Sequence, residues 1–181
     1  GELRPGGWRA LAGFARAGGL VVVFPDPARA LATWADAFNR AFDLRWAIGP
    51  EAVEHDTPVS LARGPGDDAL GVLRLIEGEL ERLLRPVRVT RHLPLSASGV
   101  RAPPTTPPAD GADAGGQAGG RRGNEATALL TLSDGSPAAM AARPGEGGQG
   151  LVVVFATPLA ASWTDLPARP VIVPLVQELA R

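Results

Sequence analysis

Apolar residues recur along this chain in distinguishable rhythms. Trp8, Leu11 and Ala15 repeat at helical spacing and run into Gly18-Gly19, a pair suited to the left-handed turn that stops a helix, so the first helix is expected to end near Ala17. The run LVVVF at 20–24 has no polar position, the pattern of a strand covered on both faces, and is expected at the centre of a sheet. PDP at 25–27 breaks it, and Leu31, Trp34, Phe38 and Phe42 then mark one face of a second helix. LRWAI at 44–48 alternates, and PVSLA at 58–62 reads as a short strand with Val59 and Leu61 on one face.

Leu70, Leu73, Ile76, Leu80, Leu83 and Leu84 predict a helix over 69–84, with Asp67 and Asp68 at its positive N-terminal end and Pro86 as its stop. VRVTRHL follows as a strand with Val87, Val89, Arg91 and Leu93 on one side and Arg88, Thr90 and His92 on the polar side. TALLTL at 127–132, AAMAAR at 138–143 and LVVVF at 151–155, separated by short glycine-containing turns, predict a three-strand meander. At the end, Ser162 followed by Asp165 has the spacing of a capping box, with Pro167 or Pro170 placed for a first turn. Val171, Val173, Leu175, Val176 and Leu179 give a final helix one broad apolar surface, with Pro174 straining it or delaying its start.

Residues 101–123, RAPPTTPPADGADAGGQAGGRRG, carry almost no large apolar side chain and cannot offset the entropy of being ordered, so they read as a disordered insertion. The remainder is expected to form a single α/β domain over 1–181, because the chain is long enough for one real core and too short for a second large domain. The abrupt start at GELRPGGW and the apolar end suggest a piece of a longer protein.

Composition removes several function classes. A formal charge of -1, with 18 basic residues scattered along the chain, leaves no concentrated positive face for a nucleic-acid backbone. The absence of cysteine excludes disulfides, thiolate metal sites and cysteine nucleophiles. No run approaches the roughly 18 apolar residues that span a bilayer.

Motifs that carry chemistry are equally sparse. GEGGQG at 145–150 fits the dinucleotide pattern GxGxxG, but a strand follows it where that fingerprint needs a helix, so it reads as a hairpin turn. There is no GxSxG elbow, no HExxH, no P-loop lysine and no closely spaced pair of metal ligands; no catalytic residue, metal or cofactor is implied. His55 beside Asp56 reads as a solvated turn, and His92 as a surface histidine rather than a base for Ser96 or Ser98. Glu77, Glu79 and Glu81, interleaved with Arg74, Arg82 and Arg85, read as an ion-paired helix surface.

RAGGLVVVF followed by Phe38-Asn39, the strand VRVTRH, the stretch LLTLSDGSPAAMAARPGEGGQGLVVVFATPL and the closing SWTDLPARPVIVPLVQEL together resemble the domain of bacterial membrane proteins related to the Bat-type aerotolerance regulators. The resemblance covers about 8–95 and 124–181. It implies a flavodoxin-like three-layer sandwich similar to class I glutamine amidotransferases, with a mainly parallel sheet, a C-terminal β-meander and a lost strand and turn ahead of the first helix. A working amidotransferase needs a cysteine on a strand-to-helix elbow, and this chain has none, so glutaminase activity is excluded. No functional residue carries over.

The expectation is therefore a non-catalytic protein-interaction or scaffold domain of a membrane-anchored envelope protein, on the extracytoplasmic side of a bacterial inner membrane. Its partners would be other domains of the same protein or its complex, and missing flanking helices would bring it near the bilayer. The crevice at the C-terminal ends of the strands, where open α/β sheets bind ligands, would then be filled by side chains such as Trp34 or Trp163. The competing expectation is a small-ligand-binding or hydrolytic domain that uses this crevice through Asp26, Asn39, Asp134, Trp163 and Asp165.

Overall fold

A computed structural model describes residues 3, 5–26, 31–66, 70, 73, 77–97, 126–145 and 148–179; the expected insertion at 101–123 and the aspartates Asp67 and Asp68 lie outside them. Helix α1 (Pro5–Arg16) opens on proline, whose missing N–H costs nothing in a first turn, and buries Trp8, Ala12 and Ala15. Gly18, at φ 105°, ends it, and Gly19 N–H donates back to Phe14 O at 3.0 Å. Strand β1 (Leu20–Val23), helix α2 (Leu31–Phe42) and strand β2 (Trp46–Ile48) follow where the pattern put them.

PVSLA proves to be the inner half of a longer strand, β3 (Val53–Arg63). Helix α3 (Glu77–Leu84) covers the second half of the expected 69–84 helix; Leu70 is helical but Leu73 lies in a turn, so the expected single helix is interrupted there, and Leu73, Leu80 and Leu84 are fully buried. The chain continues through β4 (Arg88–His92), β5 (Leu95–Ala97), β6 (Thr127–Leu132), β7 (Pro137–Ala142) and β8 (Leu151–Phe155). A short 3-10 turn (Leu166–Ala168) leads into α4 (Ile172–Leu179).

Six strands form one mixed sheet in the order β1-β8-β7-β6-β3-β4, and β2 pairs with β5 in a small second sheet. Only the β1–β8 ladder of the large sheet is parallel; β8–β7, β7–β6, β6–β3 and β3–β4 all run antiparallel. The expected meander is present as β6–β7–β8, while the expected mainly parallel, flavodoxin-like sheet is not. The turns at 133–136 and 143–150 are too short for the crossover that parallel neighbours need, and β3 and β4 run antiparallel although the connection between them at 64–87 is long enough for one. Continuous apolar runs reported two covered faces, not strand direction. For the same reason β1, read as central, is an edge strand among the described residues, with β8 as its ladder partner.

Alternation along the central strands sends side chains into two separate cores. Val153, Phe155, Ala139, Ala141 and Leu61 face α3 and α4, meeting Leu80, Leu84, Val171, Leu175 and Leu179. Val152, Val154, Met140 and Ala142 face α1, α2 and the β2–β5 pair, meeting Trp8, Phe38, Phe42, Trp46 and Leu95. Helices therefore cover both faces of the sheet, a three-layer arrangement. In the second core Trp8 packs edge-on to Phe38 with ring centroids 5.6 Å apart and stacks on Trp34 at 5.9 Å.

The closing segment departs from its expected cap. Thr164, not Ser162, supplies the side-chain acceptor, its Oγ1 taking the Leu166 N–H at 3.1 Å. Of the two expectations for Pro174 the delayed start is the one observed: α4 begins at Ile172 rather than at Pro167 or Pro170, and Pro174 is its third residue, where a backbone N–H would have no intrahelical partner. The apolar surface of α4 is narrower than the pattern implied, since Val171, Leu175 and Leu179 are buried but Val173 and Val176 are exposed. Among the described residues no helix is long and apolar enough to cross a membrane.

One close approach fixes the corner between α1 and the β7–β8 turn. A Cβ on Gly150 would overlap the carbonyl oxygens of Ala15 and Gly19, and the next residue, Leu151, donates its N–H to Gly19 O at 3.1 Å. Gly150→Ala is expected to lower unfolding stability by about 1–3 kcal/mol, the cost of forcing backbone apart in a packed site. Urea denaturation would read it as a shifted midpoint; an unchanged midpoint would contradict the packing described.

Candidate functional site

The strand directions bring one set of ends together. The C-terminal ends of β1, β8, β6 and β4 share a rim with the N-terminal ends of β7 and β3, as the registers Val23↔Val154, Ala139↔Phe155, Thr131↔Pro137, Leu61↔Leu132 and Val53↔His92 require. Asp26 follows β1 at this rim and is exposed, and Asp134 lies in the β6–β7 turn there. Trp163 and Asp165 sit on the segment after β8. Asn39 does not join them.

Asn39, Asp134 and Asp165 are each committed to bonds that shape the backbone. Asn39 reaches from α2 to both backbone groups of Trp46, donating to its carbonyl oxygen at 2.7 Å and accepting its N–H at 3.0 Å, and so pins β2 to the helix. Asp134 accepts the Ser136 N–H at 2.8 Å and closes its own turn. Asp165 accepts the Arg88 N–H at 2.7 Å through Oδ1 and the Arg169 guanidinium through Oδ2. Burial works to raise the Asp165 pKa, but the bonds from Arg169 and from the Arg88 backbone outweigh it and hold the carboxyl below the usual aspartate range.

Trp163 is a packing anchor. Its carbonyl oxygen accepts the Thr90 N–H at 2.8 Å and the Thr90 hydroxyl at 3.1 Å, and Thr164 bridges to Val89, so the segment lies along the outer edge of β4. The indole packs with Leu93, Trp34, Ile48, Ala52 and Ala160 in a small apolar cluster. Leu93 N–H donates to Ala156 O at 2.8 Å, although β4 is the last strand of the sheet and β8 the second. The end of β4 therefore arches over the strand ends, carrying this apolar plug with it.

The rim also holds a pair that the residue pattern did not reveal. His55 was expected in a solvated turn and His92 on a polar surface; the structure corrects both. Residues 53–63 form one strand, His92 is 3% exposed, and His55 Nε2 lies 2.9 Å from His92 Nδ1. The ring planes differ by 15° and the centroids are 5.0 Å apart, nearly the nitrogen separation plus two ring radii, so the rings meet edge to edge along an in-line N–H···N bond. One imidazole donates and the other accepts.

Burial pushes the His92 pKa down, the neighbouring His55 adds to this, and Asp134 partly offsets them. Two facts hid the pair. The rings are distant in sequence, and the strand pairing that joins them contains a bulge. A faint signal existed in the dipeptides Glu54-His55 and Arg91-His92, whose opposite charges now pair across the strands at 2.9 Å. In-line nitrogens leave no room for an ion between them, and among the described residues no group of three or more His, Asp or Glu side chains could hold a metal.

No family model matches this chain, and no curated protein matches it. Its fold is similar to a solved structure, that of the cytoplasmic protein STM3548 from Salmonella typhimurium, with a TM-score of 0.57 and 12% identity. The match covers 98% of this chain and 60% of that protein, so this chain spans less than two thirds of its neighbour's length. At this identity the likeness is one of fold alone.

Two substitutions test the site as drawn. Asn39→Ala leaves both Trp46 backbone groups without their partner and is expected to cost about 1–3 kcal/mol in denaturant unfolding. Asp165 contributes stability that is present above the ordinary aspartate pKa and lost as pH falls through its lowered folded value. The stability gap between wild type and Asp165→Asn should therefore be widest near neutrality and shrink on acidification; a gap that is constant with pH would refute the ionic role.

Proposed function

We propose that this domain is a non-catalytic protein-interaction or scaffold module of a membrane-anchored bacterial envelope protein, facing the extracytoplasmic side, and a degenerate relative of the amidotransferase-like domains it resembles. The observation that carries this reading is the plug: Leu93, Trp163, Trp34 and Ile48 occupy the strand-end position where an open α/β fold would receive a ligand. The rim carboxylates Asp134 and Asp165 serve the backbone instead of converging on a common point. Three layers and a C-terminal meander fit the proposed kinship; the predominantly antiparallel sheet departs from it.

A second reading rests on one observation. The hydrogen-bonded His55–His92 pair stands at the same rim and supplies a proton donor and acceptor to any small molecule that displaced the plug. This is the ligand-binding or hydrolytic alternative.

Crosslinking in native membranes, comparing the full-length parent with a form lacking residues 1–181, separates the two. Loss of a defined crosslinked protein upon deletion is expected for the scaffold. An unchanged set of crosslinks, with a small molecule that stabilises the wild-type domain but not His55→Gln, would overturn it in favour of the second reading.

A further inference from the structure

The outer end of β3 is joined to β4 by a short rung of two ladder pairs, set apart from the rest of the ladder, and by the two imidazoles. Val53 pairs with His92 and Glu54 with Arg91, and the next ladder pair is Val59 with Val89. Between them lie residues 55–58 on β3 and only Thr90 on β4, and the Thr90 N–H is already given to Trp163 O. This bulge separates the outer rung from the body of the sheet. The Glu54–Arg91 ion pair spans the rung, but its side chains are 66% and 44% exposed, and exposed pairs contribute little. Among the described residues the His55–His92 bond is thus the partly buried side-chain link across the rung, added to its backbone ladder pairs. Ala52, directly before the rung, packs on the Leu93–Trp163 cluster.

We propose that the His55–His92 pair is an acid-operated latch: protonating both rings breaks their bond, releases the outer end of β3 from β4 and uncovers the Trp163 plug. An N–H···N bond between imidazoles accommodates no proton or one extra proton, but not two, because both nitrogens would then be donors. The charged groups that act on His92 are His55 on β3 and Asp134 on the β6–β7 turn; Glu54 and Arg91, beside the rings, are paired with each other, and Asp56 is exposed. With the latch closed, His92 holds a proton less tightly than an ordinary histidine; with it open, that penalty is relieved. Opening therefore takes up protons. Acid favours it from the ordinary histidine range downward, and the effect levels off below the lowered closed-state value. This inference does not depend on the scaffold reading.

Hydrogen exchange on the intact domain tests it. Between about pH 7.5 and about pH 5.5, after correction for chemical exchange rates, the amides of residues 53–56 should lose protection by about tenfold while those of β7 keep theirs. His55→Gln retains a donor and acceptor in place of Nε2 but cannot be protonated, so its loss of protection should be smaller. His55→Gln with His92→Asn should show none. The latch is overturned by an undiminished loss in His55→Gln, by the absence of any loss in the wild type, or by an equal loss in β7, which would mean that acid unfolds the whole domain.

Discussion

Strands β7 and β8 carry almost nothing but alanine, valine, methionine and phenylalanine, and both of their faces must be kept from water. That constraint organises the molecule. The α1–α2 layer with the β2–β5 pair covers one face, and the α3–α4 layer covers the other. Small side chains on β7 let the layers approach closely, so the bulk needed to fill each core comes from the covering elements: Trp8, Phe38 and Phe42 on one side, Leu80, Leu84 and Leu175 on the other.

Covering both faces leaves the strand ends to be closed separately, and the chain uses its polar side chains there for construction. Asp165 secures the Arg88 backbone, Asp134 secures its own hairpin, and Thr90 ties β4 to the segment that bears Trp163. The arch from β4 to Ala156 then lays Leu93 across the opening. The strand ends carry an apolar cluster of Leu93 and Trp163, and the two imidazoles beside it bond to one another.

Local order was largely legible in the residues. Helix α1 could be read to its end because Gly18 must adopt a positive φ, α2 because its aromatics recur at helical spacing, and the meander because SDGSP and PGEGGQG punctuate apolar runs. The packing role of Trp163 was an open alternative in the pattern. What failed were readings that needed knowledge of neighbours: β1 as a central strand, the parallel sheet, the wide apolar surface of α4, and both histidines.

The sequence by itself determined most of the helices and strands and which positions are apolar, though not the outer half of β3 or the short β5, because propensity, periodicity and turn residues act over a few residues. Strand order, strand direction and the meeting of His55 with His92 were decided only by the tertiary structure, because each depends on residues far apart in the chain. An apolar run is the same for a parallel or an antiparallel neighbour, and a histidine reads as polar until a bulged strand pairing places its ring against another.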